Sequence, residues 1–421
     1  MVRRLIISLF IVMAIFSLAT AEAEITIVGQ NNPAVDIQAI QKAVDQGGTI
    51  LLKGTFDFGD KGKVNITKDV KIIGETDKGT PITKIKGGFW TFHSPLPSQL
   101  PVQVQGPKIT IQKIHFDGAL WSAIHIAYCS ALTITNNQMT NIRPIPSPVP
   151  LFGQTGKFLQ MAIIGGTRFA QPKDPRVQPG AVVGNLIIAD NSIDMYNENP
   201  VNTMSQGMFI AWASFATAQI SGNTINHCSR NSIETIDNFL DKDGNGTIVV
   251  RDNKIVTSQI GIPLPSPNTP NGIVGGWFYD LSGALDSKRN PKYIVINNGI
   301  RTRGQTSIGI LVLSDNAVIS NNAVLAEGSE AIGIGYTASN SYIAHNRIEG
   351  RGAHAIRITP MKDQLGSKNF LFANDFSQFK ASRCDVVLVK DSKNNVVCGS
   401  SGTVVDQGSG NQIEGLKSVA K

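Results

Sequence analysis

An all-β fold, a single parallel β-helix solenoid with a short N-terminal capping helix, is what this sequence predicts, and three observations carry the prediction. A pattern with an apolar residue at −3, asparagine at 0 and an apolar residue at +2 recurs from Ile134 almost to the C-terminus. Its period settles at 24 residues in the cleanest stretch, from Asn298 through Asn322 to Asn346, a spacing typical of stacked coils. The composition agrees: 41 glycines and 20 prolines mark a turn-rich chain, and 41% hydrophobic against 16% charged residues excludes a disordered segment. Nothing approaches the signature of collagen, a coiled coil or a disulfide-stapled miniprotein.

The elements follow in chain order. Arg3 and Arg4 precede apolar runs from Leu5 to Ile7 and Leu9 to Phe16, and the small residues Ala19, Ala21 and Ala23 follow. Residues 1–23 therefore read as a secretory signal peptide cleaved near Ala21 or Ala23, the apolar run being shorter than the ~20 residues that span a bilayer. An uncleaved anchor is the alternative. Residues 24–75 form an N-terminal cap and first strands, with Asp36 as a helix N-cap and Gly47-Gly48 as a stop. Residues 76–416 are the solenoid, and 417–421 a tail.

Within the solenoid the asparagine column comprises Asn137, Asn191, Asn223, Asn253, Asn298, Asn322, Asn346 and Asn374. Ile134, Ile188, Ile220, Val250, Val295, Ile319, Ile343 and Leu371 fill the −3 position, and Met139, Ile193, Ile225, Ile255, Ile300, Val324, Ile348 and Phe376 fill +2. A second column ten residues on, at Ile233, Ile308, Ile332 and Ile356, adds another strand, giving two strands per repeat. Asparagine suits the turn because it tolerates the left-handed backbone region, and its amide can bond the equivalent amide one coil away. The apolar columns then make one dry core at a coil spacing of ~4.8 Å.

This I-x-x-N-x-I pattern and its asparagine ladder resemble the right-handed parallel β-helix of the pectin lyase-like superfamily, from about Val35 to Ile413. The resemblance implies the right-handed winding, an N-terminal capping helix over Val35–Val44, and a glycan cleft floored by the +10 sheet. It stops at the fold. The N-T-D, D-D, G-H-G and R-I-K series of polygalacturonases is missing, as are the W-i-D-H and R-x-P-x-x-R pairs of pectate lyases. The superfamily spans lyases, hydrolases, epimerases, esterases and adhesins, so fold alone does not choose among them.

Alternation along a strand turns the residue after the first isoleucine of the +10 strand outward, which selects His125, Glu234, Gly309, Gly333 and Arg357. Asp237 follows Glu234, and Arg168 follows the strand Met161–Ile164. His125, Glu234, Asp237, Arg357 and Arg168 are thus the candidate catalytic set. Two carboxyls could hydrolyse a glycosidic bond as acid and base or nucleophile, and an arginine beside a base could support β-elimination from a uronate. The alternative is a set of solvated side chains on an exposed sheet.

Asp241-Lys242-Asp243-Gly244-Asn245-Gly246-Thr247-Ile248, continuing to Asp252, matches an EF-hand loop in its oxygen donors at positions 1, 3 and 5, its glycine at 6 and its apolar residue at 8. Asp252 replaces the usual glutamate at 12, and strand-like flanks leave no room for two helices. Calcium is the candidate ion, with Asp241, Asp243, Asn245 and Asp252 as ligands; a polar turn is the alternative reading. Proline-rich insertions at 94–97, 144–148 and 263–267 interrupt the coils as semi-rigid walls. Trp212, Trp277, Tyr279 and Tyr128 are candidate sugar platforms, with core packing as the alternative. Cys129, Cys228, Cys384 and Cys398 lack metal or redox spacing, although Cys384 and Cys398 are able to pair in an oxidising compartment.

The formal net charge of +7 falls by one when the leader takes Arg3, Arg4 and Glu22 with it, and suits an anionic partner. Outside the cytoplasm that partner is an acidic polysaccharide or a cell surface, with no nucleic acid and no membrane insertion after cleavage; a basic surface that serves solubility is the alternative. The expectation is a secreted or periplasmic monomer that binds a polysaccharide and acts on it by lyase or hydrolase chemistry. The alternative is a non-catalytic surface or matrix protein displaying a binding face. Grouping of Glu234, Asp237 and Arg357 in one open cleft favours the first, and scattering or burial the second.

Overall fold

The computed structural model describes residues 24–96, 106–146, 158–166, 182–198, 202–240, 243–258, 270–276, 291–336, 338–359 and 366–419. The leader, Arg168, Trp277, Tyr279, Asp241 and most of the proline-rich insertions lie outside the described residues. The helix runs Pro33–Gln46, with proline in its first turn where the missing N–H costs nothing. Its N-cap is Asn32 and not Asp36: Asn32 Oδ1 accepts from Ala34 N at 3.0 Å. Asp36 lies one turn inside, buried, and its carboxylate accepts from the backbone N–H groups of Gln30 at 2.8 Å, Asn32 at 2.9 Å and Asp57 at 2.8 Å. That carboxylate ties the helix to the first coil. Ile40, Ala43 and Val44 cover the end of the core, and Gly47, at φ 82, ends the helix as expected.

Beyond the cap the chain winds as a right-handed parallel β-helix with three faces. Among the described residues the first sheet has 14 strands from Glu24–Val28 to Gln412–Ile413, the second has 11 from Thr55–Asp57 to Phe379–Ala381, and the third has 14, running from Val64–Asn65 to Leu416–Ser418. Coiling thus begins inside the segment expected as cap and first strands, and the last strand, Leu416–Ser418, reaches past residue 416. The repeat holds three strands, not two. The asparagine corner separates the −3 residue, on the first sheet, from the +2 residue, on the second, as Ile134 and Met139 illustrate. The residues at both positions are buried in one continuous cluster along the solenoid.

The asparagines form an unbroken ladder. Nδ2 of Asn137, Asn191 and Asn298 donates to Oδ1 of Asn191, Asn223 and Asn322, each at 3.0 Å. Asn223, Asn253, Asn322 and Asn346 each donate to the next at 2.9 Å. Each Oδ1 also accepts the backbone N–H of the preceding rung, as Asn322 Oδ1 accepts Asn298 N at 3.0 Å. The left-handed residue, however, stands one place before the ladder: Asn136 (φ 56), Asp190 (φ 57), Asp252 (φ 57), Asn297 (φ 57), Asn321 (φ 56), His345 (φ 55) and Ala373 (φ 48). The column asparagine is selected by its inward amide, and its predecessor absorbs the corner.

Cys129, Cys228 and Cys384 are buried and all four thiols are free. The bridge between Cys384 and Cys398 is not formed, because the first stands two residues before a strand of the third sheet, with Sγ donating to Val386 O at 3.2 Å, and the second ends a strand of the first sheet.

Candidate functional site

Register on the third sheet defines what shares a face. Ile233, Ile273, Ile310, Ile334 and Ile356 pair in succession as its core column. The next residue of each strand faces out, so the outward column runs His93, His125, Ile164, Phe209, Glu234, Val274, Leu311, Gly335, Arg357 and Val387. Gly309 and Gly333, expected in it, point inward instead. A Cβ on Gly309 would lie 2.3 Å from Val324 Cγ1, and one on Gly333 would lie 2.4 Å from Ile348 Cγ2, both core side chains. The turn from second to third sheet is two residues longer in those coils, which moves Ile308 and Ile332 off the core column.

His125 faces outward but is fully buried, which removes it as a solvent-facing acid or base. Its ring stacks on His93 at 4.9 Å and lies 4.1 Å from Trp90, which in turn packs on Trp121 at 4.8 Å. Lys63 Nζ lies over Trp90 at 4.6 Å. Both ring nitrogens of His125 lack a hydrogen-bond partner among the described residues, and burial, then His93 and Lys63, hold it neutral, well below the usual imidazole range. Burial and Lys63 push His93 down to about 4. Trp90 (φ 50) and Trp121 (φ 69) both occupy the left-handed region, strained for such bulk. Sequence reasoning missed this pair. Phe89-Trp90-Thr91 and Leu120-Trp121-Ser122 repeat one coil apart, Phe89 bridging Leu120, and that is the signal that would have found them.

At the centre the outer face is a second apolar cluster holding Leu159, Met161, Ile164, Phe209, Ile236 and Val274. Trp212 belongs to it, 8% exposed, which makes it packing and not a sugar platform. Tyr128 is half-buried at the turn between two strands. Glu234 is 2% exposed; its Oε2 accepts from Asn231 Nδ2 at 2.7 Å and from Gln206 Nε2, with Arg230 Nε at 4.0 Å. Asp237 is also buried, in a left-handed turn (φ 52) with its N–H bonded to Gly276 O at 3.0 Å. The two carboxylates assigned to catalysis are therefore enclosed, and three extended residues put their α-carbons about 10 Å apart.

The open part of the face lies near its C-terminal end. A groove of about 380 Å³ is lined by His354, Arg357, Arg383, Cys384, Val387, Val389, Val405 and Gln407. Arg357 Nε donates to Thr359 Oγ1 at 2.8 Å, and Arg383 Nη2 pairs with Glu330 Oε2 at 2.7 Å. His354 Nδ1 lies 3.0 Å from the Cys384 carbonyl, which only accepts, so the proton sits on Nδ1. Burial lowers the His354 pKa and raises that of the Cys384 thiol. The lining thus offers two permanent cations, a neutral imidazole, a protonated thiol and a valine floor, and among the described residues no carboxylate. Guanidinium groups in that setting hold a carboxylate or sulfate through paired charge-assisted bonds.

The expected calcium loop is described only in part, Asp241 lying outside the described residues. Thr247–Arg251 is a strand, so Asp252 stands roughly 20 Å beyond Asn245, where it pairs with Arg251 at 2.8 Å. Asp243 and Asn245 remain on an exposed loop. Among the described residues no group of three or more His, Cys, Asp or Glu side chains is placed to hold a metal ion, and no helix is long and apolar enough to cross a membrane.

No family model and no curated protein matches this sequence. Solved structures similar to it include the A-module of a mannuronan C-5 epimerase from Azotobacter vinelandii, at 13% identity and a TM-score of 0.43, over 88% of this chain and 96% of that one. A PL6 alginate lyase in complex with a trisaccharide gives 11% identity and a TM-score of 0.41, over 92% and 72% of the two chains. A tailspike of E. coli bacteriophage HK620 in complex with a hexasaccharide gives 10% and 0.41, over 91% and 77%. What this chain has in common with them is the right-handed parallel β-helix fold.

Proposed function

We propose that this protein is a secreted monomer that binds an acidic polysaccharide, holding a uronate or sulfate group between Arg357 and Arg383, and that it displays a binding face without cleaving the chain there. The observation that carries this reading is the composition of the groove: two arginines over a valine floor with no carboxylate among the described lining residues, while Glu234 and Asp237 are buried away from it. Hydrolysis by a carboxyl pair needs both carboxyls on the scissile bond, and the described lining of the groove carries none. Calcium has no step in this reading. The test is calorimetric titration of the mature protein with polygalacturonate and neutral dextran, beside assays for reducing ends and unsaturated products. Polygalacturonate binding that Arg357→Ser with Arg383→Ser weakens, without cleavage, supports it. Binding of dextran with equal affinity, or turnover that Glu234→Gln abolishes, returns the protein to the enzyme class.

A further inference from the structure

The outer face of the second sheet changes character along the solenoid. In its middle coils the outward positions are Gln138, Thr140, Ser192, Asp194, Thr224 and Asn226, with one carboxylate that His227 Nδ1 meets at 2.7 Å. From the coil of Lys254 onward they become basic: Lys254, Arg301, Arg303, Arg347, Arg351 and Lys380 all point outward and are exposed. The carboxylates among them are already engaged. Glu327 takes Arg301 at 3.2 Å, Glu349 takes Arg347, and Asp375 Oδ1 accepts from Ser377 N at 3.0 Å. Lys254, Arg303, Arg351 and Lys380 have no ion-pair partner among the described residues.

Register sharpens the point. Arg303, Glu327, Arg351 and Lys380 occupy one column on four successive rungs, about 4.8 Å apart. Arg351 and Lys380 are direct cross-strand partners, a like-charge pairing that destabilises a sheet unless something neutralises it. A flat parallel sheet repeats its outward positions at a fixed step along one axis, so it can meet a linear polymer group by group where an isolated surface cluster cannot.

We propose that this face, over the last five coils of the second sheet, is a binding track for a linear polyanionic polysaccharide that lies along the solenoid axis with its anionic groups over Arg303, Arg351 and Lys380. The track is separate from the Arg357–Arg383 groove and does not depend on it. Single-stranded nucleic acid is the poorer fit, because none of the described outward positions carries an aromatic ring on which a base would stack.

The experiment is titration of the mature protein with polygalacturonate across a series of salt concentrations, for four proteins. These are the wild type, the track variant Arg303→Ser/Arg351→Ser/Lys380→Ser, the groove variant Arg357→Ser/Arg383→Ser, and a charge-matched control, Lys42→Ser/Lys61→Ser/Lys68→Ser, at the capping end. The track variant is expected to bind about tenfold more weakly at low ionic strength, with a log K against log salt slope shallower by about 2, while the control keeps wild-type behaviour. A single Lys380→Glu change, which turns the like-charged pair into an opposite one, is expected to weaken binding while raising the melting temperature. Wild-type affinity and slope in the track variant, equal losses in the control, no polygalacturonate binding by the wild type, or tighter binding of an oligodeoxythymidylate would each overturn the track. Loss of all binding in the groove variant alone would do the same and leave the groove standing.

Discussion

Glu234 and Arg357 stand in the same outward column of the third sheet with Val274, Leu311 and Gly335 on the three rungs between them, so about 19 Å of sheet separates the enclosed carboxylate from the groove arginine. They cannot act on one glycosidic bond. Each has its own local reason to exist: Glu234 terminates donors from Gln206 and Asn231 inside an apolar layer, and Arg357 lines open space.

Glu234→Ala should therefore cost stability and leave recognition alone. It strands two buried donors and the neighbouring Arg230, a loss of about 2–4 kcal/mol, read as a lower denaturation midpoint. Polygalacturonate affinity should stay within about twofold of wild type. A large affinity loss in a protein of normal stability would tie Glu234 to the ligand.

The asparagine ladder separates two neighbouring residues by role. Asn322→Ala removes the acceptor of Asn298 N and Nδ2 and the donor to Val295 O and Asn346 Oδ1, and should cost about 3 kcal/mol or more. Asn321→Gly, at φ 56, should be neutral to within about 0.5 kcal/mol, because glycine takes that backbone region without strain. Chemical denaturation of both variants checks the contrast, and equal costs would return the structural role of the corner to Asn321.

The acid limb of stability should belong to the tryptophan–histidine layer. Burial lowers His93 from 6.5 to about 4 in the folded protein and holds His125 well below the usual imidazole range, so between pH 6.5 and 4 the unfolded chain binds more protons. Stability contributed by the neutral rings is then present above pH 6.5 and lost as pH falls toward 4, by roughly 3 kcal/mol for His93 alone. Melting temperatures should fall accordingly as pH is lowered across that range, and His125→Phe, which keeps the stack on Trp90, should flatten part of that fall. An unchanged slope would place the acid sensitivity elsewhere.

The sequence made the solenoid legible because its restraints are repeated: a buried amide at each corner and an apolar residue on either side leave a periodic mark. Ile114, which stands in for asparagine, still donates its N–H to Asn137 Oδ1 at 3.1 Å, so even the exception keeps register. What the period does not encode is what covers an outward residue. His125 and Glu234 were placed on the correct column, yet Trp90 and an apolar layer close over them, and a two-residue difference in one turn moved Gly309 and Gly333 to the opposite face. The groove escaped notice because Arg383 reaches Arg357 only through the stacking of successive coils, with nothing local to join them.

Thiol chemistry offers the last check. Cys129 and Cys228 are fully buried, and burial pushes the Cys228 thiol up to about 12. Cys384 is 1% exposed, with Sγ 3.4 Å from His354 Nδ1. Thiolate, not thiol, reacts with maleimide, and access is needed as well. At neutral pH the native protein should therefore label at Cys398 alone, with the other three appearing only in denaturant, and peptide mapping identifies the sites. Fast native labelling of Cys384 that polygalacturonate slows would show that the groove opens deeper than its lining implies, with His354 at its base within reach of ligand. Absence of any label at Cys398, even after unfolding without reductant, would mean that it is oxidised, and the pairing of Cys384 with Cys398 would have to be reopened.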